Sequence, residues 1–125
     1  VLPMVNQIEF HPGYLQWDTV AYCRKNGILP EAWSPLGRGR VLNHPLLCKI
    51  AAGYGVSVAQ LCVRFALQNG VLPLVKSTSA ARIRENFSVF SFTITESDMD
   101  AIRGLPACGW SGEHPDRVRQ AAQTW

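Results

Sequence analysis

The sequence predicts an α/β fold of about three parallel β/α units plus extra helices, close to half of an eight-unit (β/α)8 TIM barrel. Three observations lead there. Short β-rich runs alternate with helical patterns, and strands separated by helices pair in parallel. Those runs lack clean period-two alternation, as strands covered on both faces do. The chain has 125 residues, about half of the ~250 that a closed barrel takes. It reads as a single partial domain over residues 1–125, and its start at Val1, with strand-like residues and no capping segment, reads as a cut edge.

Each element has a local cause. Residues 4–10 are β-rich and close at His11-Pro12-Gly13, a turn signal. Residues 17–26 read as a helix with Gly27 as its C′ residue. Residues 28–33 form a second short strand, and residues 34–40 a loop. Pro45 opens a helix that runs to Tyr54 and stops at Gly55. In the next helix Ser57 and Gln60 make an S-x-x-Q capping box. Val58, Leu61, Cys62, Phe65 and Ala66 follow as one apolar stripe, and Gly70 ends it. Residues 71–75 are a third apolar strand, interrupted by Pro73, which cannot donate to a ladder. Residues 76–79 lead into a helix over 80–87, and Thr95 and Asp98 cap a last helix ending near Leu105. Residues 108–125 are Gly-rich and polar, then at most weakly helical. In a half-barrel, Val5, Ile8, Leu29, Leu72 and Leu74 are the strand side chains left without an inner core.

Composition excludes several classes. Lys and Arg number 12 against 9 Asp and Glu, and a dispersed net charge of +3 does not make a phosphate-backbone binder. At 47% hydrophobic and 17% charged, the chain carries a real core and is not disordered. No apolar stretch nears the ~20 residues that span a bilayer, and no signal-peptide layout opens the sequence. Cys23, Cys48, Cys62 and Cys108 form no CxxC pair and no zinc-like spacing, so no metal site is expected. They read as reduced thiols in a cytoplasmic protein.

Chemistry in such a fold gathers at the C-terminal ends of the strands. Three clusters fall there: residues 6–12, 31–37 and 76–86. In the third, Lys76-Ser77-Thr78-Ser79 runs into a helix, bringing free backbone N–H groups, hydroxyls and a cation together as a phosphate site does. Arg82 and Asn86, four apart, share one face of that helix. Ordinary helix capping with solvated charges is the competing reading.

The chain resembles the C-terminal half of an aldo-keto reductase, the NADPH-dependent (α/β)8-barrel family. The resemblance rests on VNQIEFHPGYLQ at 5–16, EAWSPLGRG at 31–39 and SVAQLCVRFALQNGVLPLVKS at 57–77. It continues in family order with ARIRENFSVFSFTITESDMDAIRGL at 81–105 and GWSGEHPD at 109–116. The AWSPLG and SGEHPD forms look more like the bacterial diketogluconate-reductase branch than the mammalian aldose-reductase branch.

The resemblance implies a set of roles. Gln7 would hold the nicotinamide carboxamide, an amide offering both donor and acceptor; otherwise it is a structural strand-end amide. Trp33, usually Tyr in the family, would stack on the nicotinamide ring, or else plug the gap between strand and helix. Ser34, Leu36 and the glycines after them would fold over the pyrophosphate. Lys76, Ser77, Arg82, Glu85 and Asn86 would hold the 2′-phosphate and adenine of NADP(H). Val75 stands where the family commonly has Pro, which makes that loop less rigid. Trp110 is the candidate substrate contact, with packing on the exterior as its alternative. His11 reads as a turn residue, His44 as solvated and His114 as part of the tail near the substrate mouth.

The family's Asp, Tyr, Lys and His for proton transfer belong to its first half and are not represented here, so no catalytic residue is assigned. The expected role is therefore part of an NADPH-dependent reductase of aldehydes and ketones that needs the N-terminal half of the barrel as partner. A non-enzymatic NADP-binding or interaction module, like the reductase-fold potassium-channel β subunits, is the alternative.

Overall fold

The computed structural model describes residues 1–115 and 117. The expected weak helicity toward residue 125 lies outside them. Three strands, β1 (Val5–Glu9), β2 (Leu29–Trp33) and β3 (Leu72–Pro73), form one sheet in the order β1-β2-β3. Both pairings are parallel, so the C-terminal ends of all three strands share one end of the sheet. Among the described residues five α-helices connect and follow them: α1 (Trp17–Lys25), α2 (Pro45–Tyr54), α3 (Val58–Gln68), α4 (Ala80–Phe87) and α5 (Glu96–Arg103). This is the α/β architecture that the alternating pattern predicts, reached through β/α crossovers.

Helix ends fall where local chemistry puts them. In α1 the Gly27 N–H donates to Arg24 O and the Ile28 N–H to Cys23 O, the paired bonds of a Schellman motif. Gly27 adopts the φ of +68° that this closure needs, and the chain passes straight into β2. The capping box of α3 is complete: Gln60 N donates to Ser57 Oγ, and Ser57 N donates to Gln60 Oε1. The predicted stripe is the buried face of α3, with Leu61, Cys62, Phe65 and Ala66 all closed off from solvent.

The core lies on one side of the sheet. Ile8, Phe10, Ala32 and Val71 pack there against Leu47, Leu61, Phe65, Met99 and Ile102 from the helices. Phe10 and Phe65 stack with centroids 6.1 Å apart, and burying each such ring is worth roughly 1.5–3 kcal/mol. The opposite face is open: Val5, Leu29, Leu72 and Leu74 are each 41–46% exposed. Ile8 does not belong with them. It is buried on the helix side, because β1 alternates and Ile8 falls one residue out of phase with Val5 and Gln7.

Two boundaries differ from the sequence pattern. The third strand pairs only at Leu72–Pro73, with one further bond from Leu74 N to Ala32 O. The ladder closes after that bond, short of the expected 71–75, and Pro73 adds no N–H of its own. The last helix stops at Arg103. At its start Thr95 accepts from Asp98 N as expected, but Asp98 does not return to the Thr95 amide. Tyr54 intervenes: Thr95 N donates to its hydroxyl, and the hydroxyl donates to Asp98 Oδ2 at 2.5 Å.

Candidate functional site

The parallel register sets the first part of the site. Gln7 lies opposite Glu31, and Glu9 opposite Trp33, so four polar or aromatic side chains project from two adjacent strand ends. Gln7 is exposed on the open face and its Nε2 donates to Glu31 Oε1 at 2.7 Å. A carboxylate only accepts, so the amide nitrogen must face Glu31 and Gln7 Oε1 is turned elsewhere. A cavity of about 740 Å³ opens here, lined by Gln7, Glu9, Tyr14, Trp33, Glu113 and His114 among others.

Beyond β2 the backbone is strained. Ser34 and Arg38 both take φ of +53°, a left-handed conformation that costs a non-glycine residue about 1–3 kcal/mol and gathers at functional sites. Ser34 Oγ accepts from Arg38 N at 3.0 Å, which tightens the loop. The Arg38 guanidinium carbon lies 5.3 Å from the Trp33 ring centroid, and Arg38 pairs with Glu113 at 2.7 Å. Both partners of that pair are about half exposed, so it contributes little stability alone. Leu36 is half-buried against the core.

Glu9 is 3% exposed and His11 fully buried. His11 Nε2 lies 3.1 Å from Glu9 Oε1, and Nδ1 lies 2.9 Å from the Pro12 carbonyl. Oxygen acceptors thus face both ring nitrogens. His11 is a turn residue with a buried anion as partner. Burial first, and the Glu9 charge second, push the Tyr14 phenol above its usual range. Trp110 stacks on Tyr14 with centroids 6.0 Å apart, and its Nε1 donates to Glu113 O. His44 is half-buried rather than solvated, with Nδ1 enclosed and without a hydrogen-bond partner among the described residues.

The second part lies at the start of α4. Ser77 Oγ accepts from Ser79 N and donates to Ser79 O, both at 3.2 Å, which shapes the turn into the helix. Lys76 and Arg82 are exposed. Neither has an ion pair or hydrogen bond among the described residues. Ser77 and Asn86 line a second cavity of about 370 Å³ whose other walls, including Val63, Leu67 and Phe87, are mostly apolar. Glu85 faces α3: its Oε1 accepts from Ser57 Oγ at 2.5 Å, and its carbonyl from Gln60 Nε2. The structure therefore gathers Gln7 and Trp33 in one cavity and Ser77 and Asn86 in another. No cluster of His, Cys, Asp or Glu among the described residues could hold a metal ion.

Sequence reasoning missed Glu9, Tyr14, Arg38, Ser111 and Glu113. Glu9 carried one signal, its place two residues after Gln7 on the same strand face. Ser111, which donates to Glu9 from 102 residues away, stood inside the GWSGEHPD stretch, but nothing local tied it to Glu9.

Comparison with known proteins fits this layout. The model of the Aldo/keto reductase family matches residues 1–106. An uncharacterized oxidoreductase YtbE from Bacillus subtilis is 47% identical over 93% of this chain and 41% of its own length. Glyoxal reductase from the same organism is 42% identical over 94% of this chain and 43% of its own length. A mutant of Gox0644 solved in complex with NADPH superposes with a TM-score of 0.89 at 38% identity, over 95% of this chain and 44% of that one. An aldo-keto reductase of Bombyx mori in complex with NADP gives a TM-score of 0.74 at 35% identity, over 82% and 36%. The chain spans 41–43% of the length of the two Bacillus relatives. Other relatives come from Trypanosoma cruzi, Caenorhabditis elegans and Schizosaccharomyces pombe, so the matches identify a family and not a branch. With the family model matching over residues 1–106 of the 125, this chain belongs to the aldo/keto reductase family.

Proposed function

We propose that this chain forms the cofactor-binding part of an NADPH-dependent reductase that converts aldehydes and ketones to alcohols. The observation that carries the reading is the meeting of Gln7 and Trp33 on one cavity at the C-terminal ends of adjacent parallel strands. Two solved relatives were crystallised with NADPH or NADP.

The residues present fit a nicotinamide dinucleotide. Glu31 takes the Gln7 N–H and orients the amide, leaving Gln7 Oε1 to accept from a carboxamide. Trp33 offers a half-buried aromatic face, and the Ser34 turn, with Leu36 packed below it, carries the loop expected along the pyrophosphate. Lys76 and Arg82, exposed and without partners among the described residues, are free to meet a phosphate, while Ser77 shapes the turn into α4 beside them. Glu85 and Asn86 follow on α4 for the adenine, Glu85 through the oxygen that Ser57 leaves free. Trp110, beside the cavity on Tyr14, is the substrate contact. Bound NADPH supplies the hydride. This chain's residues orient the ring and shield it from water.

Tyr14 does not stand where the resemblance would put the family's proton-donating Tyr, so no general acid is assigned to this chain. The acid and its activating partners come from preceding β/α units, the missing partner of this half-barrel. Four free cysteines support a reducing, cytoplasmic location. No single helix among the described residues is long and apolar enough to cross a membrane.

The experiment is reconstitution. The 125-residue chain with NADPH and a small aldehyde should give no turnover above background, and co-expression with the preceding β/α units of a relative should give NADPH oxidation. Turnover by the purified chain alone would move the acid into this chain. A completed barrel that binds no NADPH would end the reading.

A further inference from the structure

We propose that Glu9 is a positioning residue for the substrate side of the site, tying residues 108–113 to the end of β1 as one wall of the cavity. The inference rests on the reading above and adds to it the group that sets substrate affinity separately from cofactor affinity.

A carboxylate buried to this degree is costly unless every oxygen is paired. Glu9 is paired mostly by a distant segment. Its Oε1 accepts from Ser111 N at 2.9 Å as well as from His11, and its Oε2 accepts from Ser111 Oγ at 2.6 Å. The last of these has the short length of a charge-assisted bond. Ser111 Oγ accepts in turn from Glu113 N at 3.1 Å, so the tie runs on into the residues that line the cavity.

The segment is shaped to reach this carboxylate. Cys108 N donates to Gly13 O at 3.1 Å. Gly109 passes so close to β1 and the α2 approach that a Cβ there would stand 2.8 Å from Val41 Cγ1 and 3.1 Å from His11 Cε1. Arg40 holds the Trp110 carbonyl at 2.9 Å from the other side. Apolar packing seats the segment, and among the described residues Glu9 alone accepts from both the Ser111 amide and its hydroxyl.

Gln7 and Glu9 are neighbours on one strand face with different duties. Gln7 is braced by Glu31 and does not depend on the segment. Loosening the Ser111 tie therefore moves the wall and leaves the Gln7 and Trp33 positions in place. If the closed wall falls to roughly a tenth of the population, apparent substrate affinity falls about tenfold.

Ser111→Ala and Ser111→Thr in the completed barrel test this, because Ser111 is only half-buried and its loss spares the core. Glu9→Gln is the second variant, keeping the shape and removing the charge. Ser111→Ala should raise amide exchange across 109–113 and raise KM for small aldehydes about tenfold, with kcat and NADPH Kd unchanged. Ser111→Thr should restore both, and Glu9→Gln should fall between. Unchanged exchange and KM would overturn the proposal, as would parallel loss of NADPH affinity, which would make Glu9 a support for the whole strand end. Exchange is read without cofactor or substrate, so it decides the tie even if the barrel fails to bind NADPH, the result that ends the proposed function instead.

Discussion

Gln7 and Glu31 sit opposite each other in the parallel register of β1 and β2, and the Gln7 amide donates to the Glu31 carboxylate at 2.7 Å. The pair orients an otherwise exposed and mobile amide before any ligand arrives. Glu31→Ala should therefore weaken NADPH and NADH equally, since both carry the same nicotinamide. Losing one bracing hydrogen bond is worth about 0.5–1.5 kcal/mol, or about two- to tenfold in Kd. Fluorescence titration of the completed barrel with each cofactor measures it. An effect on NADPH alone would mean that Gln7 does not serve the carboxamide.

Arg82→Ala should separate the two cofactors. The guanidinium suits phosphate oxygens, and only NADPH has the 2′-phosphate. Loss of one charge-assisted contact costs about 1.5–3 kcal/mol, on the order of ten- to a hundredfold in NADPH affinity. NADH binding should barely change. Equal losses for both would make Arg82 structural and put the phosphate elsewhere.

Ser57→Ala should cost more than a surface cap. Ser57 Oγ accepts the Gln60 amide N–H and also donates to Glu85, so one hydroxyl joins the start of α3 to α4. The cap alone is worth about 1 kcal/mol, and the bond to a carboxylate adds about 1.5–3 kcal/mol. Urea unfolding of the completed barrel should show the loss, and Ser57→Thr should recover most of it. A change no larger than that of Gln60→Ala would mean that the Glu85 bond contributes nothing.

Cys62 gives the chain an alkaline limit. Burial pushes its thiol from 9.0 up to about 12. Between those values the folded chain keeps a proton that the unfolded chain has lost, so stability falls as pH rises through that window. The contribution is fully present below pH 9.0 and lost as pH approaches about 12. Urea midpoints across the window should fall more steeply for the parent than for Cys62→Ala. Thiol reagents should modify exposed Cys48 well before Cys62.

Much of this protein is written locally. α2 and α4 occupy the very residues that Pro45, Gly55 and the Lys76–Ser79 lead-in mark out, and the α3 stripe is buried as its spacing requires. The strand–helix alternation determined the parallel sheet, and the motif order along the chain determined the family. Caps, turns and helical stripes form among residues a few positions apart, so their causes can be read in order along the chain.

The tertiary structure decided the rest. Pro73 could be seen to weaken β3, but only the register shows two paired residues. Ile8 faced the helices because of its phase relative to Gln7, which the uneven hydrophobicity of β1 concealed. Glu85 turned to Ser57, Tyr54 entered the α5 cap, and Glu9 met Ser111 across 102 residues. These contacts link side chains whose neighbours in sequence are satisfied in other ways. Their partners are chosen by which surfaces the packed helices bring together, and no period or spacing in the chain records that choice.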